Sequence, residues 1–229
     1  MKSEKITNKD GPSFRHLYDD ACGTAHALDL VGERWSLLVV RELMLGPRRF
    51  SDLRGGLPGI SANVLTQRLE SLEAAGILSK RKLPPPAASQ VYELTPWGYE
   101  AEEPIKLLGR WAARSPNHDP SLPLSNVSLM LSLRTMFDPS RARGFRGVIG
   151  MAFGAESFQV TVEEGVLSND RTDHAAGNAV FTGSAATLAA AIYGGVPFAA
   201  LEKDGTLRVE GDRALAERFV SLFPLPPKA

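Results

Sequence analysis

The chain holds 229 residues with 26 basic and 26 acidic side chains, so its formal charge is zero and nothing global pulls it towards nucleic acid or an anionic surface. With 43% hydrophobic and 23% charged residues it has the make-up of a soluble globular protein, long enough for one large or two small domains. The single cysteine, Cys22, excludes an intrachain disulfide and a cysteine-based zinc site; no run approaches the roughly 18 apolar residues of a membrane span and no signal-peptide pattern opens the chain, so a reducing, cytoplasmic setting without a membrane partner is expected.

Residues 1–20 are polar and aperiodic, and read as a flexible arm. A domain expected over 21–114 begins with the helical rhythm of TAHALDLV at 24–31. After Gly32, the segment ERWSLLVVRELML (33–45) predicts a strongly apolar helix with Trp35, Leu38, Val39 and Leu43 on its buried face. Gly46-Pro47 stops it, because proline cannot continue the helical hydrogen-bond ladder. RRFSDLRGGL (48–57) predicts a short third helix with Ser51 near its start and Phe50, Leu53 and Leu57 inward, and Pro58-Gly59 makes a turn.

The next segment, SANVLTQRLESLEAAG (61–76), predicts an amphipathic helix with Ser61 as N-cap. Leu65, Leu69 and Leu72 recur at i, i+4 and i+7 and face a core, while Asn63, Thr66, Gln67 and Glu70 lie opposite. The first three of these carry hydrogen-bonding groups suited to base edges. Two short helices joined by a glycine-containing turn form a helix-turn-helix pattern whose second helix enters the major groove. ILSKRKL (77–83) and QVYELT (90–95), around a proline- and alanine-rich loop, predict a β-hairpin with Lys80, Arg81 and Lys82 on its first arm, placed for phosphate contact. Between Arg41 and Lys82 eight basic residues face four acidic ones, a local excess of four positive charges (8 − 4). Thr95-Pro96 then opens a final helix through Trp111, whose Leu107, Leu108 and Trp111 suit either the core or a second subunit.

Cys22, LVGERWSLLVVRELMLGPRRFSDL, GISANVLTQRLESLEAAGIL and YELTPWG together resemble the winged-helix transcriptional regulators of the HxlR type, over residues 22–114. The resemblance implies a homodimer on double-stranded DNA, with the helix after Ser61 in the major groove and the hairpin as a wing. Carried over by position, Ser61, Asn63, Thr66, Gln67 and Arg68 fall on the recognition helix, and Lys80, Arg81 and Lys82 at the base of the wing. Two such helices about 34 Å apart imply an inverted-repeat site. Arg68 lies near the apolar stripe, where contact with phosphate and pairing with an acidic neighbour both fit. Some relatives carry an oxidant- or electrophile-sensing cysteine at the position of Cys22. Here Gly23 replaces the usual proline, and Asp19 and Asp20 are expected to disfavour a thiolate, which favours an incidental role.

SPNHDPSLPL (115–124) reads as a linker, and a second domain is expected over 125–229. A helix over 126–137 with Val127, Met130 and Leu131 on one side precedes strands at 148–153, 158–163, 166–168 and 178–182. An alanine-rich helix from Ser184 to Tyr193, a strand at 207–209, and a closing helix bearing Leu215, Phe219 and Leu222 complete an α+β layer fold. VTVEEGVLS, AVFTGSAATLAAAIYGG and ALEKDGTLRVEGDRALAERFVSLF resemble the sterol-carrier-protein type-2-like fold, over residues 129–223. That resemblance implies an apolar cavity for a hydrophobic small-molecule effector, with Phe153, Phe158, Val160, Phe181, Leu188, Ile192 and Phe198 as candidates to line it; taken singly each is expected to fill a core, and the cavity is an expectation for the domain as a whole.

His16, His26, His118 and His174 have no metal-ligand spacing, and no Ser/His/Asp or phosphate-loop motif occurs, so no enzyme, catalytic residue, metal or cofactor is expected. The whole reads as α+β: an N-terminal winged helix-turn-helix, then an α+β ligand-binding domain, in a dimeric sequence-specific DNA-binding regulator. The rival reading is a lipid- or small-molecule-binding protein whose winged helix serves protein interaction.

Overall fold

The computed structural model describes residues 17–84 and 89–229. Residues 1–16 of the expected arm, with His16, and the hairpin tip at 85–88 lie outside the described residues. The first part is helical: α1 (Gly23–Val31), α2 (Ser36–Leu43), α3 (Phe50–Gly56) and α4 (Ala62–Ala74), followed by β1 (Leu78–Lys82), β2 (Gln90–Leu94), α5 (Pro96–Tyr99) and α6 (Glu102–Ala112). The expected helix over 33–45 begins only at Ser36, because Trp35 takes a left-handed conformation (φ 80°, ψ −19°) that no α-helix tolerates in its first turn. Leu38, expected inside, faces solvent, whereas Val39, Val40 and Leu43 are fully buried. The single helix expected from Thr95 to Trp111 is two, α5 and α6, separated at Glu100 and Ala101.

Strands β1 and β2 pair antiparallel from Leu78 opposite Leu94 to Lys82 opposite Gln90. Thr95 fastens the hairpin base, donating its hydroxyl to the Gly76 carbonyl at 2.8 Å. Arg48 adds a short third rung: its amide donates to the Tyr92 carbonyl at 2.9 Å, and the Tyr92 amide returns a bond to the Arg48 carbonyl at 2.8 Å.

The second part holds α7 (Asn126–Met136), β3 (Gly147–Phe153), β4 (Glu156–Glu163), β5 (Val166–Thr172), β6 (Ala179–Gly183), α8 (Ala185–Gly194), α9 (Phe198–Lys203), β7 (Leu207–Gly211) and α10 (Arg213–Val220). The strands form one sheet in the order β5-β4-β3-β6-β7, with β3 and β6 parallel and the other pairs antiparallel. Strand alternation sends Ile149, Met151 and Phe153, then Phe158, Val160 and Val162, then Ala179 and Phe181 to one buried face. Helix α9 has no counterpart among the elements predicted from sequence; its Phe198 ring meets Phe181 edge-on at 5.4 Å between centroids.

Helix α7 joins the two parts. Arg134 donates from Nη1 to Glu102 of α6 at 2.7 Å and from Nε to Asn169 of β5 at 2.8 Å. Asn169, fully buried, donates in turn to the Met130 carbonyl of α7 at 2.8 Å, which satisfies a side-chain amide that burial would otherwise penalise. The buried apolar set accordingly runs without interruption from Val39 and Leu43 through Val127, Met130 and Leu133 to Phe158 and Phe181.

Candidate nucleic-acid interface

Helix α4 is fixed at its start by Ser61, whose hydroxyl accepts from the Val64 amide at 3.2 Å. A serine in this position satisfies one of the four amides that a helix N-terminus leaves open. Leu65, Leu69 and Leu72 are 0–1% exposed and hold the helix to the core; burying each contributes about 1.5–3 kcal/mol. The same rotation turns Asn63, Thr66, Gln67 and Glu70 to solvent. Among the described residues, the side chains of Asn63, Thr66 and Gln67 have no hydrogen-bond partner, so their donors and acceptors are open to an incoming molecule.

The other sequence-derived candidates are placed differently. Arg68 turns away from the outward face and pairs with Glu33 at 3.0 Å, its side chain only 15% exposed, which selects the acidic-neighbour alternative. Lys80 pairs with Glu73 at 2.9 Å and stands 5.9 Å above the Tyr92 ring; the Glu73 hydrogen bond raises the Lys80 pKa and keeps it charged. Arg81 pairs with Glu93 across the hairpin. Lys82 is exposed at the end of β1, next to the tip. Exposed ion pairs of this kind gain little in water, so a phosphate can replace Glu73 or Glu93 at small cost.

Two side chains that the sequence pattern did not single out as contacts, Arg49 and Arg54, are exposed at the start and on the last turn of α3; neither guanidinium forms an ion pair among the described residues, although the Asp52 carboxylate accepts the Arg49 backbone amide at 3.2 Å. The signal that could find them is positive charge on a helix flanking the turn. Arg48, which contributes to the basic excess, does not belong to this surface: it is 7% exposed and turned into the joint between the two parts, where Nη1 meets Glu156 at 2.7 Å.

Cys22 is exposed and caps α1. Hydrogen bonds from the Thr24 and Ala25 amides, with a further one from the Thr24 side chain, lower its thiol pKa, because a helix N-terminus favours negative charge. The Asp20 carboxylate accepts the Cys22 amide at 2.9 Å.

Phe153, Phe158, Val160, Phe181, Leu188, Ile192 and Phe198 are all buried, 0–8% exposed, and packed on one another. The Phe153 and Phe158 rings lie 5.9 Å apart, and Phe181 touches both Phe198 and Phe219. The clefts of about 670, 620 and 280 Å³ on this molecule are lined by other residues.

Residues 30–120 match the HxlR-like helix-turn-helix family, and residues 115–229 match the alkyl sulfatase C-terminal family. The HTH-type transcriptional regulator YtfH of Escherichia coli (strain K12) is 34% identical over 96 residues, which span 42% of this chain and 76% of that protein. The HTH-type transcriptional regulator YodB of Bacillus subtilis (strain 168) is 34% identical over 86 residues, or 38% of this chain and 77% of that one. The structure of reduced YodB aligns at a TM-score of 0.39 with 31% identity, over 43% of this chain and 98% of YodB. The inverting sec-alkylsulfatase Pisa1 of Pseudomonas sp. aligns at 0.38 with 19% identity, over 42% of this chain and 16% of the enzyme. Among the described residues no helix is long and apolar enough to cross a membrane.

Proposed function

Since the chain belongs to the HxlR-like helix-turn-helix family and is a DNA-binding transcriptional regulator, we propose that it binds an inverted-repeat site as a homodimer, under the control of its second half. The observation that carries the DNA contact is the outward face of α4, where Asn63, Thr66 and Gln67 are exposed and unbonded on a helix whose opposite stripe is fully buried. Asn and Gln carboxamides pair bidentately with adenine in the major groove, and the Thr66 hydroxyl serves either base type. Ser61 acts through the helix it caps. Lys80, Arg81 and Lys82 of the hairpin, with Arg49 and Arg54 of α3, supply phosphate contacts on either side. Arg68 positions α4 through Glu33 and does not itself read DNA.

The dimer contact in this proposal is the apolar side of α6, where Leu107, Leu108 and Trp111 are 67%, 50% and 73% exposed, together with exposed Leu28 of α1. Large apolar side chains gathered on one helix face at this exposure are the mark of an interaction surface. A two-fold axis there sets two α4 helices about one DNA turn, near 34 Å, apart.

For the second half, the five-stranded sheet with helices on its buried face supports the sterol-carrier-protein type-2-like reading and a domain boundary near Ser125. A hydrophobic effector would enter this layer by parting rings such as Phe181 and Phe198, at a cost of about 1.5–3 kcal/mol per side chain uncovered, which its own contacts must restore. We assign this half no reaction; His174 lies exposed in a loop, where its carbonyl accepts the Thr172 hydroxyl at 3.0 Å.

Footprinting on the DNA upstream of the protein's own gene, across a salt series, tests the reading. Two-fold protection that weakens as salt rises is the expected result. Absence of sequence-specific protection at every salt concentration rejects the base-reading role of α4.

A further inference from the structure

Between the winged helix and the second half lies a cleft of about 620 Å³ bounded by α3, the residues before α7, and the facing ends of β4 and β5. Its charged wall is a chain of alternating groups. Glu42, fully buried, receives Arg41 at 2.8 Å and the Ser125 hydroxyl at 2.6 Å on Oε1. Arg48 follows, with Nη2 3.9 Å from the second Glu42 oxygen and Nη1 2.7 Å from Glu156. Glu156 also receives Asn126 at 2.7 Å and faces Arg171 at 3.4 Å.

Arg171 ends the chain, and it is underbonded. No hydrogen bond reaches its guanidinium among the described residues: Nε is buried without one, Nη2 has only the 3.4 Å ion pair with Glu156, and Nε of Arg48 and the second Glu42 oxygen also lack a hydrogen bond. Burial and the neighbouring Arg48 charge lower the Arg171 pKa while Glu156, Asp52 and Glu42 raise it, so it is the guanidinium donors left without a hydrogen bond, and not an excess of positive charge, that mark this end of the wall. Buried guanidinium donors are rarely left unpaired, because each forfeits the water it gave up. Asp52 adds a third carboxylate to the lining, and Pro58, Pro123 and Leu124 supply its apolar part.

We propose that this interdomain cleft is a further effector site, separate from the apolar layer of the second half, and that it takes a small organic acid: a carboxylate paired with Arg171 and Arg48, and an apolar body against Pro58, Pro123 and Leu124. A carboxylate presents two oxygens in the plane that a guanidinium fork matches. Seating it there requires Glu156 to yield its place beside the two arginines. Arg48 leads directly into α3 and is bonded through its backbone to Tyr92 of the hairpin. Occupancy therefore acts on the elements that flank α4, and the ligand shifts DNA affinity to the extent that it prefers one arrangement of this joint. The inference rests on the regulator reading for its consequence, not for the binding itself.

Benzoate serves as the probe, with the uncharged isostere benzamide and with chloride at equal ionic strength as controls. Thermal unfolding of the full chain is expected to rise saturably with benzoate and not with benzamide. Arg171→Gln should lose about tenfold or more in benzoate affinity, and Arg171→Lys should recover part of it. Because Arg171 also lies over the Phe158 ring and a variant can fail to fold, the wild-type chain supplies a second readout. Its Arg48 and Arg171 Nε–H resonances should shift with benzoate, while those of Arg49 and Arg54 stay in place. Equal responses to benzoate and benzamide, no saturation, or unchanged Arg48 and Arg171 resonances overturn the proposal. Footprinting in the same samples separates the two readings: protection without a benzoate response removes only the effector site, and a benzoate response without protection removes only the assigned DNA contact.

Discussion

The outward face of α4 and the joint around Arg48 both gather polar side chains, and the molecule treats them in opposite ways. On α4 the groups are exposed and unbonded, while the leucines beneath them carry the fold. At the joint, Glu42 is fully buried and Arg48 nearly so, one Glu42 oxygen and the Arg48 Nε lack a hydrogen bond among the described residues, and the fold depends on the remaining contacts between those charges. Groups meant for an external partner are cheap to alter and expensive to use wrongly; groups that lock two halves together are the reverse. Stability and DNA affinity should therefore respond to different substitutions.

The largest effect expected is at the joint. Glu42→Ala leaves Arg41 without its carboxylate and the Ser125 hydroxyl with Ser128 alone, while Arg48 keeps Glu156, and removal of one partner from a buried pair typically costs about 3–5 kcal/mol. Urea unfolding should show it, and a loss within surface-mutation range would break the contrast. Next comes Trp111→Glu, which places a charge in the proposed dimer contact; truncated central aromatics cost about 2 kcal/mol or more of association. Sedimentation should show a shift to monomer with the melting curve of each subunit retained.

Gln67→Ala sharpens the other side. It should leave urea unfolding within about 0.5 kcal/mol while costing about 1–3 kcal/mol of site-specific affinity, read by anisotropy on specific and random DNA. Lys80→Ala with Arg81→Ala should weaken both DNAs alike and lower the slope of log affinity against log salt by about 0.9 for each phosphate that is no longer neutralised. The smallest effect belongs to Cys22. Its lowered pKa means that the thiolate is populated at lower pH than in a free thiol, so the midpoint of iodoacetamide alkylation should fall below that of a free cysteine measured alongside. Thr24→Ala, which removes the side-chain bond but not the two amide bonds, should move that midpoint part of the way back.

What sequence shows of these two regions follows from the range of the interactions. The buried stripe of α4, its Ser61 cap and the hairpin after it depend on neighbours a few residues away, and the period of the leucines exposes them. The partner of Arg68 is Glu33, across two helices, and the partner of Arg48 is Glu156, in the other half of the chain; no local pattern distinguishes either arginine from a phosphate contact. The late start of α2 follows from Trp35 taking a backbone conformation that its residue type disfavours. The apolar residues of the second half are legible as buried, yet alternation is the same whether a strand faces a filled core or an opening. Hence the pattern places Phe181 and Phe198 inside without revealing that their rings meet.

The paired backbone bonds between Arg48 and Tyr92 bear on the order of events as the protein opens. They join residues 44 apart (92 − 48) without any side chain taking part, so substitution at either position leaves the peptide groups in place. The middle of β2 and the approach to α3 thus belong to one cooperative unfolding unit, despite the distance between them in the chain. The middle of β2 is accordingly released only together with the helix-turn-helix it borders.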